Sequence, residues 1–276
     1  MTNARVLVQA ITLDFGNTLV RVDQPSLHAV VEATTDRMAA GGVGVNRAAF
    51  MAAWIEERER QFREDVPELR EPDIYQRAYR VLARLRGTAA PPPERRWDDA
   101  ATTARATPEE VEVVVEAYGA SFVERMTPVG DAGSTIELLA GRGIAVGILS
   151  NWPLALTIDR FAEAQGWTRY LRAIVVSQRV GTIKPHPSIF RAAEAALGLG
   201  PADAATILHV GDDWAADVVG ANRAGWRTAY LRDRQHDTPL PTSRKGADSD
   251  GAPPVAADLE IDELSELVAL VDLAGT

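Results

Sequence analysis

Residues 11–20 read ITLDFGNTLV, the close of an aliphatic run followed at once by an acid and then by turn residues. The run as a whole, residues 6–13 (VLVQAITL), is short and aliphatic, the pattern of a strand covered on both faces. Similar runs recur at residues 144–149 (IAVGIL), 173–177 (AIVVS), 206–210 (TILHV) and 228–231 (TAYL). Helical patterns lie between them, at residues 135–140, 154–165, 188–197 and 214–224. Strands alternating with helices imply βαβ units and an α/β fold built on a parallel sheet. Right-handed crossovers then place helices on both faces. In such a sheet ligands bind at the carboxyl ends of the strands. Four segments of the chain end there: Asp14, Ser150 in VGILSN, Lys184 in VGTIKPHP, and Asp212 with Asp217 in ILHVGDDWAAD.

The alternation breaks after the first strand. Residues 25–125 hold only helical runs, with a Pro91-Pro92-Pro93 loop among them. About a hundred residues of helix at that point read as a separate small domain, which divides the chain into a core of residues 1–21 and 127–276 and an inserted domain of residues 22–126. Residues 233–256 are rich in Pro, Ser, Gly and Asp and read as a mobile surface loop. After them, residues 259–261 (LEI) suggest a last short strand and residues 262–271 a closing helix, with Asp262 as its N-cap.

Bulk composition narrows the field further. The chain has 276 residues, 46% hydrophobic and 25% charged, with a net charge of −10. That charge disfavours a nucleic-acid partner, whose phosphates call for a basic face. No apolar run nears the roughly 18 residues a membrane span needs. The beginning, MTNARVLVQA, has no long apolar segment of the kind that starts a secretion signal. With no cysteine there is neither a disulfide nor a thiolate metal site. The expectation is a cytoplasmic enzyme with no membrane or nucleic-acid partner. Its oligomeric state is open.

Each of the four segments has a chemical and a plain structural reading. Asp14 can act as a nucleophile that divides a hard displacement into two easier ones, or it is a turn-forming Asp. Ser150 and Asn151 can donate hydrogen bonds to phosphate oxygens, or they are ordinary turn chemistry. Lys184 stands out because the chain has only two lysines, the other being Lys245, against 27 arginines. A lysine kept among so many arginines points to a need for a compact charge, suited to neutralising a phosphoryl group. His186 in the same segment reads as structural. Asp212, Asp213 and Asp217 either favour a helix N-terminus or hold a hard divalent cation. Mg2+ takes one or two carboxylates and substrate phosphate. Among the aromatics, Trp54 and Trp97 read as packing residues, and Trp214, next to the acids, is the one best placed to line a pocket. Arg37, Arg63, Arg77 and Arg80 read mainly as solvated helix-face charges.

Taken in order, these motifs closely resemble the haloacid dehalogenase-like hydrolase superfamily over nearly the whole chain. Residues 14–19 resemble its first motif, Leu149-Ser150-Asn151 its second, Lys184-Pro185 its third, and Gly211-Asp212 with Asp217 its fourth. The insertion resembles the helical cap of the family's first subclass. The resemblance implies a Rossmann-like core and a mobile helical cap. It implies Asp14 as a nucleophile forming an aspartyl intermediate, usually an aspartyl-phosphate. Ser150, Asn151 and Lys184 would bind the phosphoryl group of a small phosphorylated substrate. Mg2+ would be held by Asp14, Asp212 and the backbone carbonyl of Gly16, with Asp213 and Asp217 in support.

One departure matters. Phosphatases of this family mostly carry a second Asp two residues after the nucleophile as general acid and base, and here that residue is Gly16. A positioned acid–base group is worth about 10²- to 10⁴-fold. Either the leaving group needs little protonation, as with acyl or aryl phosphates, or a cap residue, a water or His186 supplies the proton, or turnover is slow. Two other readings remain open: a 2-haloacid dehalogenase-like enzyme working through an Asp14 ester, and a degenerate binding protein. The phosphonate-cleaving branch needs a cap lysine, and residues 22–126 contain none.

Overall fold

A computed structural model describes residues 5–232, 234–235, 237–246 and 255–275. By its internal packing the chain forms two compact units, Gln24–Met126 and the remainder, Met1–Asp23 with Thr127–Thr276.

The larger unit is a parallel α/β sheet, as its alternating aliphatic runs require. Its strands are β1 (Val6–Val8), β2 (Ala10–Leu13), β3 (Ala145–Ser150), β4 (Leu171–Val176), β5 (Ile207–Gly211), β6 (Arg227–Leu231), β7 (Leu259–Ile261) and β8 (Val271–Leu273). Six of them form one sheet in the order β4-β3-β2-β5-β6-β7, every pair parallel. β2 therefore lies between β3 and β5, so Asp14, Ser150 and Asp212 follow or end three neighbouring strands. The backbone N–H of Asp14 still donates to the Val210 carbonyl at 2.8 Å, which fixes its position beside the end of β5.

Three expectations are corrected by the strands and turns. Residues 6–13 are not one strand: a bend at Gln9 separates β1 from β2, and β1 pairs with β8 in a sheet of its own. The run 262–271 is not one helix. It makes a helical turn, Leu264–Glu266 continuing into Leu267–Leu270, and then extends as β8. The aliphatic run at residues 267–271 (LVALV) is too short for periodicity to separate helix from strand, and pairing with β1 decides the outcome. Asp262 does not cap the turn; its carboxylate accepts from Arg232, and Glu263 is the capping residue.

The smaller unit contains α1 (Gln24–Ala40), α2 (Arg47–Asp65), α3 (Ile74–Leu85), α4 (Asp99–Thr103) and α5 (Pro108–Arg125). Local chemistry sets where they start. Asn46 and Asp73 cap α2 and α3, and Thr107 with Glu110 closes a capping box on α5, where Pro108 takes the first helical position. Phe50, Trp54, Ile74, Val81, Val114 and Phe122 fill the interior, each large apolar side chain contributing roughly 1.5–3 kcal/mol by leaving water. Trp54 and Trp97 are packing residues, both buried. The arginines divide. Arg37 and Arg63 are exposed, but Arg77 and Arg80 are buried, which corrects their reading as solvated charges. Arg80 pairs with Glu64 at 3.1 Å and Asp99 at 3.3 Å, while the Arg77 guanidinium lies over the Trp54 ring and donates to Gln61.

The helices of the larger unit are α6 (Ala132–Gly141), α7 (Ala155–Ala164), α8 (Ser177–Val180), α9 (Pro187–Leu197), α10 (Gly220–Arg223) and α11 (Leu267–Leu270). On α9, Ile189, Phe190, Ala193 and Leu197 recur at helical spacing and pack with Leu149, Val175, Ile207 and Trp226 into one apolar cluster. The expected helix 214–224 begins as a wide turn, Trp214–Val219, before α10.

Candidate active site

The loop between α8 and α9 carries Lys184, and the side chain of Asn151 fixes the backbone of that loop. Asn151 Oδ1 accepts from the Lys184 N–H at 2.7 Å, and its Nδ2 donates to the Lys184 carbonyl at 3.1 Å. From there the ammonium reaches the sheet edge. Lys184 Nζ donates to Asp14 Oδ1 at 2.7 Å, to Asp217 Oδ1 at 2.7 Å and to the Leu149 carbonyl at 2.9 Å. Its three protons thus meet three acceptors.

Lys184 is only 2% exposed, so charge stabilisation and burial compete. Taking an ammonium out of water costs several kcal/mol. One carboxylate at hydrogen-bond distance returns on the order of 6 kcal/mol at an effective dielectric of 20. Two carboxylates therefore win. Burial pulls the Lys184 ammonium down, yet Asp14 and Asp217 outweigh it and hold its pKa above the ordinary lysine value. Asp217 is the reciprocal case: burial pushes it up, and Lys184 with His209 drives it below the usual carboxylate range.

Sequence reasoning missed His209, which supports Asp217 from behind. β2 and β5 are in register at Thr12 and His209. Thr12 Oγ1 lies 2.8 Å from His209 Nδ1, and His209 Nε2 lies 3.1 Å from Asp217 Oδ1. Because the three protons of Lys184 are committed elsewhere, the network assigns the imidazole proton to Nε2, where it is donated to Asp217, and leaves Nδ1 to accept from Thr12. Burial first, then the Lys184 charge, lowers the His209 pKa and keeps the ring neutral. The signal was present in ILHVG, where a lone polar residue interrupts an aliphatic strand.

Asp212 is the contrasting acid. Its Oδ1 has a long contact of 3.4 Å from Thr18 Oγ1, and its buried Oδ2 has no hydrogen-bond partner. Burial raises its pKa well above the ordinary value, and the charges of Asp14, Asp217 and Asp213 add to the effect. Asp14 is raised as well, by burial and then by Asp217, with Lys184 opposing. With the ring of His209 neutral, three carboxyl groups share one ammonium, and burial with mutual repulsion raises the pKa of two of them, Asp14 and Asp212. Asp14, Asp212 and Asp217 each offer an oxygen within 4.8 Å of the others. Clustered oxygen ligands and an unpartnered buried oxygen fit a hard divalent cation. Asp217 is the least suited of the three as a ligand: Oδ1 accepts from Lys184 and His209, and Oδ2 accepts from the Asp213 N–H at 2.9 Å.

The remaining acid, Asp213, faces away from this cluster. Oδ1 caps the turn at Ala216 N and also accepts from Ser243 Oγ, while Oδ2 accepts from Ser243 N at 3.2 Å. Residue 243 belongs to the segment expected to be a mobile loop. Residues 233, 236 and 247–254 of that segment lie outside the described residues, but Gln235, Thr238 and Ser243 are tied to the site. Gln235 Nε2 donates to the Asp212 carbonyl at 2.6 Å, and Asn17 Nδ2 donates to Thr238 Oγ1 at 3.2 Å. Ser150 ends β3 and is buried. His186 caps α9, its Nδ1 accepting from Ser188 N, as a structural residue should. Trp214 does not line the site; its ring packs edge-on against Tyr230, with Val218 and Val219 alongside.

A carboxylate, an ammonium and a candidate metal acid at the carboxyl ends of a parallel sheet make the site of an α/β enzyme. Residues 8–225 match the haloacid dehalogenase-like hydrolase family, to which the chain belongs. It is 30% identical to a ribulose-1,5-bisphosphate 5-phosphatase of Halopiger xanaduensis, over 56% of this chain and 62% of that protein. It is 32% identical to a phosphoserine phosphatase of Thermus thermophilus, over 54% of this chain and 58% of that one. In both cases the chain spans less than two thirds of the relative's length. A solved 2-haloacid dehalogenase from Pseudomonas syringae pv. Tomato has the same fold, with a TM-score of 0.61 at 22% identity, covering 95% of this chain and 96% of that one. Among the described residues no helix is long and apolar enough to cross a membrane.

Two outcomes test this geometry. A Cβ at Gly211 would stand 2.1 Å from Asp217 Oδ2. Gly211→Ala therefore displaces the Asp217 carboxylate and lowers stability by roughly 2 kcal/mol or more; an unchanged denaturant midpoint contradicts that packing. Asp212 has a folded-state pKa above its unfolded value, so the metal-free protein loses stability as pH rises from the ordinary carboxylate value through the raised one. In chelating buffer at pH 7, Asp212→Asn accordingly raises the melting temperature, by on the order of 1–3 kcal/mol of stability. A lower melting temperature contradicts the crowding of like charges.

Proposed function

We infer that the protein is a Mg2+-dependent phosphohydrolase acting on a small phosphorylated metabolite in the cytoplasm. The observation that carries the reading is the position of Lys184 Nζ, 2.7 Å from the carboxylate of Asp14, in a cluster where Asp14, Asp212 and Asp217 each offer an oxygen within 4.8 Å of the others. Among the three clustered acids, Asp14 keeps 13% of its side chain exposed whereas Asp217 keeps 2%, which makes Asp14 the reachable nucleophile.

In this reading Asp14 attacks phosphorus and forms an aspartyl-phosphate as the bond to the leaving group breaks. Water then attacks the same phosphorus and releases inorganic phosphate. Lys184 neutralises charge on the phosphoryl oxygens, and a charge aimed in advance at that position needs no rearrangement during the reaction. Ser150 donates to the phosphoryl group. Asn151 contributes mainly by holding the Lys184 backbone, and Asp217, oriented by His209, holds its ammonium. Mg2+, held by Asp14, Asp212 and the Gly16 carbonyl, would supply a Lewis acid toward the phosphoryl oxygens. Asp213 supports the site from outside, through the helical turn and Ser243. The helical unit, Gln24–Met126, takes the part of a substrate-selecting cap. The two relatives named as phosphatases support the reaction class.

Purified protein is expected to hydrolyse p-nitrophenyl phosphate with Mg2+ and to stop in chelator. Asp14→Asn is expected to lower kcat/KM by at least about 10³-fold with little change in melting temperature. Turnover that survives the chelator or the substitution contradicts the reading. Chloride release from 2-chloropropionate without added metal would instead make the protein a dehalogenase.

A further inference from the structure

Phosphoryl transfer to Asp14 leaves one question of chemistry: what becomes of the negative charge on the departing oxygen. Residue 16, two positions after the nucleophile, is a buried glycine, and its surroundings are apolar. A Cβ built there would stand 3.0 Å from Leu240 Cδ1, 3.7 Å from Trp152 Cζ3 and 3.8 Å from Val22 Cγ2. The Leu240 contact is tighter than nine in ten packed Cβ contacts, so a side chain begun at residue 16 needs the Leu240 methyl to give way by a few tenths of an ångström, and more as the side chain extends.

Leu240 is held in place by its own segment. Thr238 Oγ1 accepts from Asn17 Nδ2 at 3.2 Å and from the Leu240 N–H at 3.3 Å. Further along, Ser243 is fixed to the start of the Trp214 turn. Its carbonyl accepts from Trp214 N at 3.1 Å, and its hydroxyl accepts from Ala215 N at 2.6 Å. Gln235 Nε2 bridges the Asp212 and Ser243 carbonyls at 2.6 and 3.0 Å. Thr238 and Ser243 thus tie residues 238–243 to the active-site loops, with the half-buried Leu240 between the two anchors.

Asn17 and Thr18, the polar residues that follow Gly16, have other partners. Asn17 Oδ1 accepts from Val22 N, and Thr18 Oγ1 turns to Asp212. His209 is enclosed between Thr12 and Asp217, and His186 Nδ1 caps α9.

We propose that Leu240 is a specificity-determining residue that closes the position of a proton donor with an apolar side chain, restricting the enzyme to phosphoryl compounds whose leaving group departs as a stable anion. Acyl phosphates and aryl phosphates are that class. The proposal rests on the phosphohydrolase reading and selects among its substrates. An Asp14 carboxylate oxygen forms a bond to phosphorus while the bond from phosphorus to the leaving oxygen breaks. The electron pair stays with that oxygen, which departs as carboxylate or phenolate with no proton from the protein. Water then adds to phosphorus, the bond to Asp14 breaks, and inorganic phosphate carries away the proton released from that water.

The test is a leaving-group series. With Mg2+, kcat/KM is measured for acetyl phosphate, for aryl phosphates of graded phenol acidity and for glycerol phosphate, using the full chain and Gly16→Asp, Leu240→Ala and the double variant, each checked for folding by circular dichroism. In the unaltered protein kcat/KM falls steeply as the leaving group becomes more basic, and glycerol phosphate trails acetyl phosphate by at least about 10²-fold, the lower range of a missing acid. The double variant flattens that dependence and gains on glycerol phosphate, while Gly16→Asp alone gains little because Leu240 still stands against the new side chain. A flat dependence in the unaltered protein overturns the proposal, even if the variants do not fold. So does a Gly16→Asp protein that equals the double variant. Absence of turnover with every phosphoryl compound removes the phosphohydrolase reading and this proposal with it, an outcome distinct from a flat series.

Discussion

The buried ammonium of Lys184 is the contact on which the rest of the site depends. It lies between Asp14 and Asp217, and neither carboxylate could be kept so near the other, or so far from water, without it. Every nearby element serves that placement. Asn151 grips the loop that carries Lys184, His209 and Thr12 hold Asp217 from the strand side, and the missing Cβ of Gly211 makes room for the Asp217 carboxylate. What the ammonium does not neutralise is concentrated on Asp14 and Asp212, where a divalent cation fits.

Much of this could be read from residues alone. Asp14, Ser150 and Asp212 all fall at or just after short aliphatic runs, and a parallel sheet brings such positions to one edge. The strand order, with β2 between β3 and β5, is what makes them neighbours. Lys184 was legible for a compositional reason, as one lysine of two in a chain that otherwise uses arginine.

The rest depended on contacts between residues far apart in the chain, which local pattern does not encode. Asp212, Asp213 and Asp217 look alike within GDDWAAD, yet one is unpartnered, one caps a turn and one is saturated by Lys184 and His209. His209 becomes meaningful only once register sets it opposite Thr12. The segment of residues 233–256 has the composition of a loose loop, but Gln235, Thr238 and Ser243 find partners on the active-site loops. Burial of Arg77 and Arg80 was hidden for the same reason, since stacking on Trp54 and pairing with Glu64 are tertiary facts.

The proposed chemistry turns on one covalent bond, between the carboxylate of residue 14 and phosphorus. Its most direct test is to quench the protein rapidly in acid during turnover of acetyl phosphate, reduce the acyl phosphate with borohydride and map the product by mass spectrometry. The account predicts homoserine at position 14 and unmodified aspartate at positions 212, 213 and 217. Reduction at one of those other acids, or at none while turnover proceeds, contradicts it.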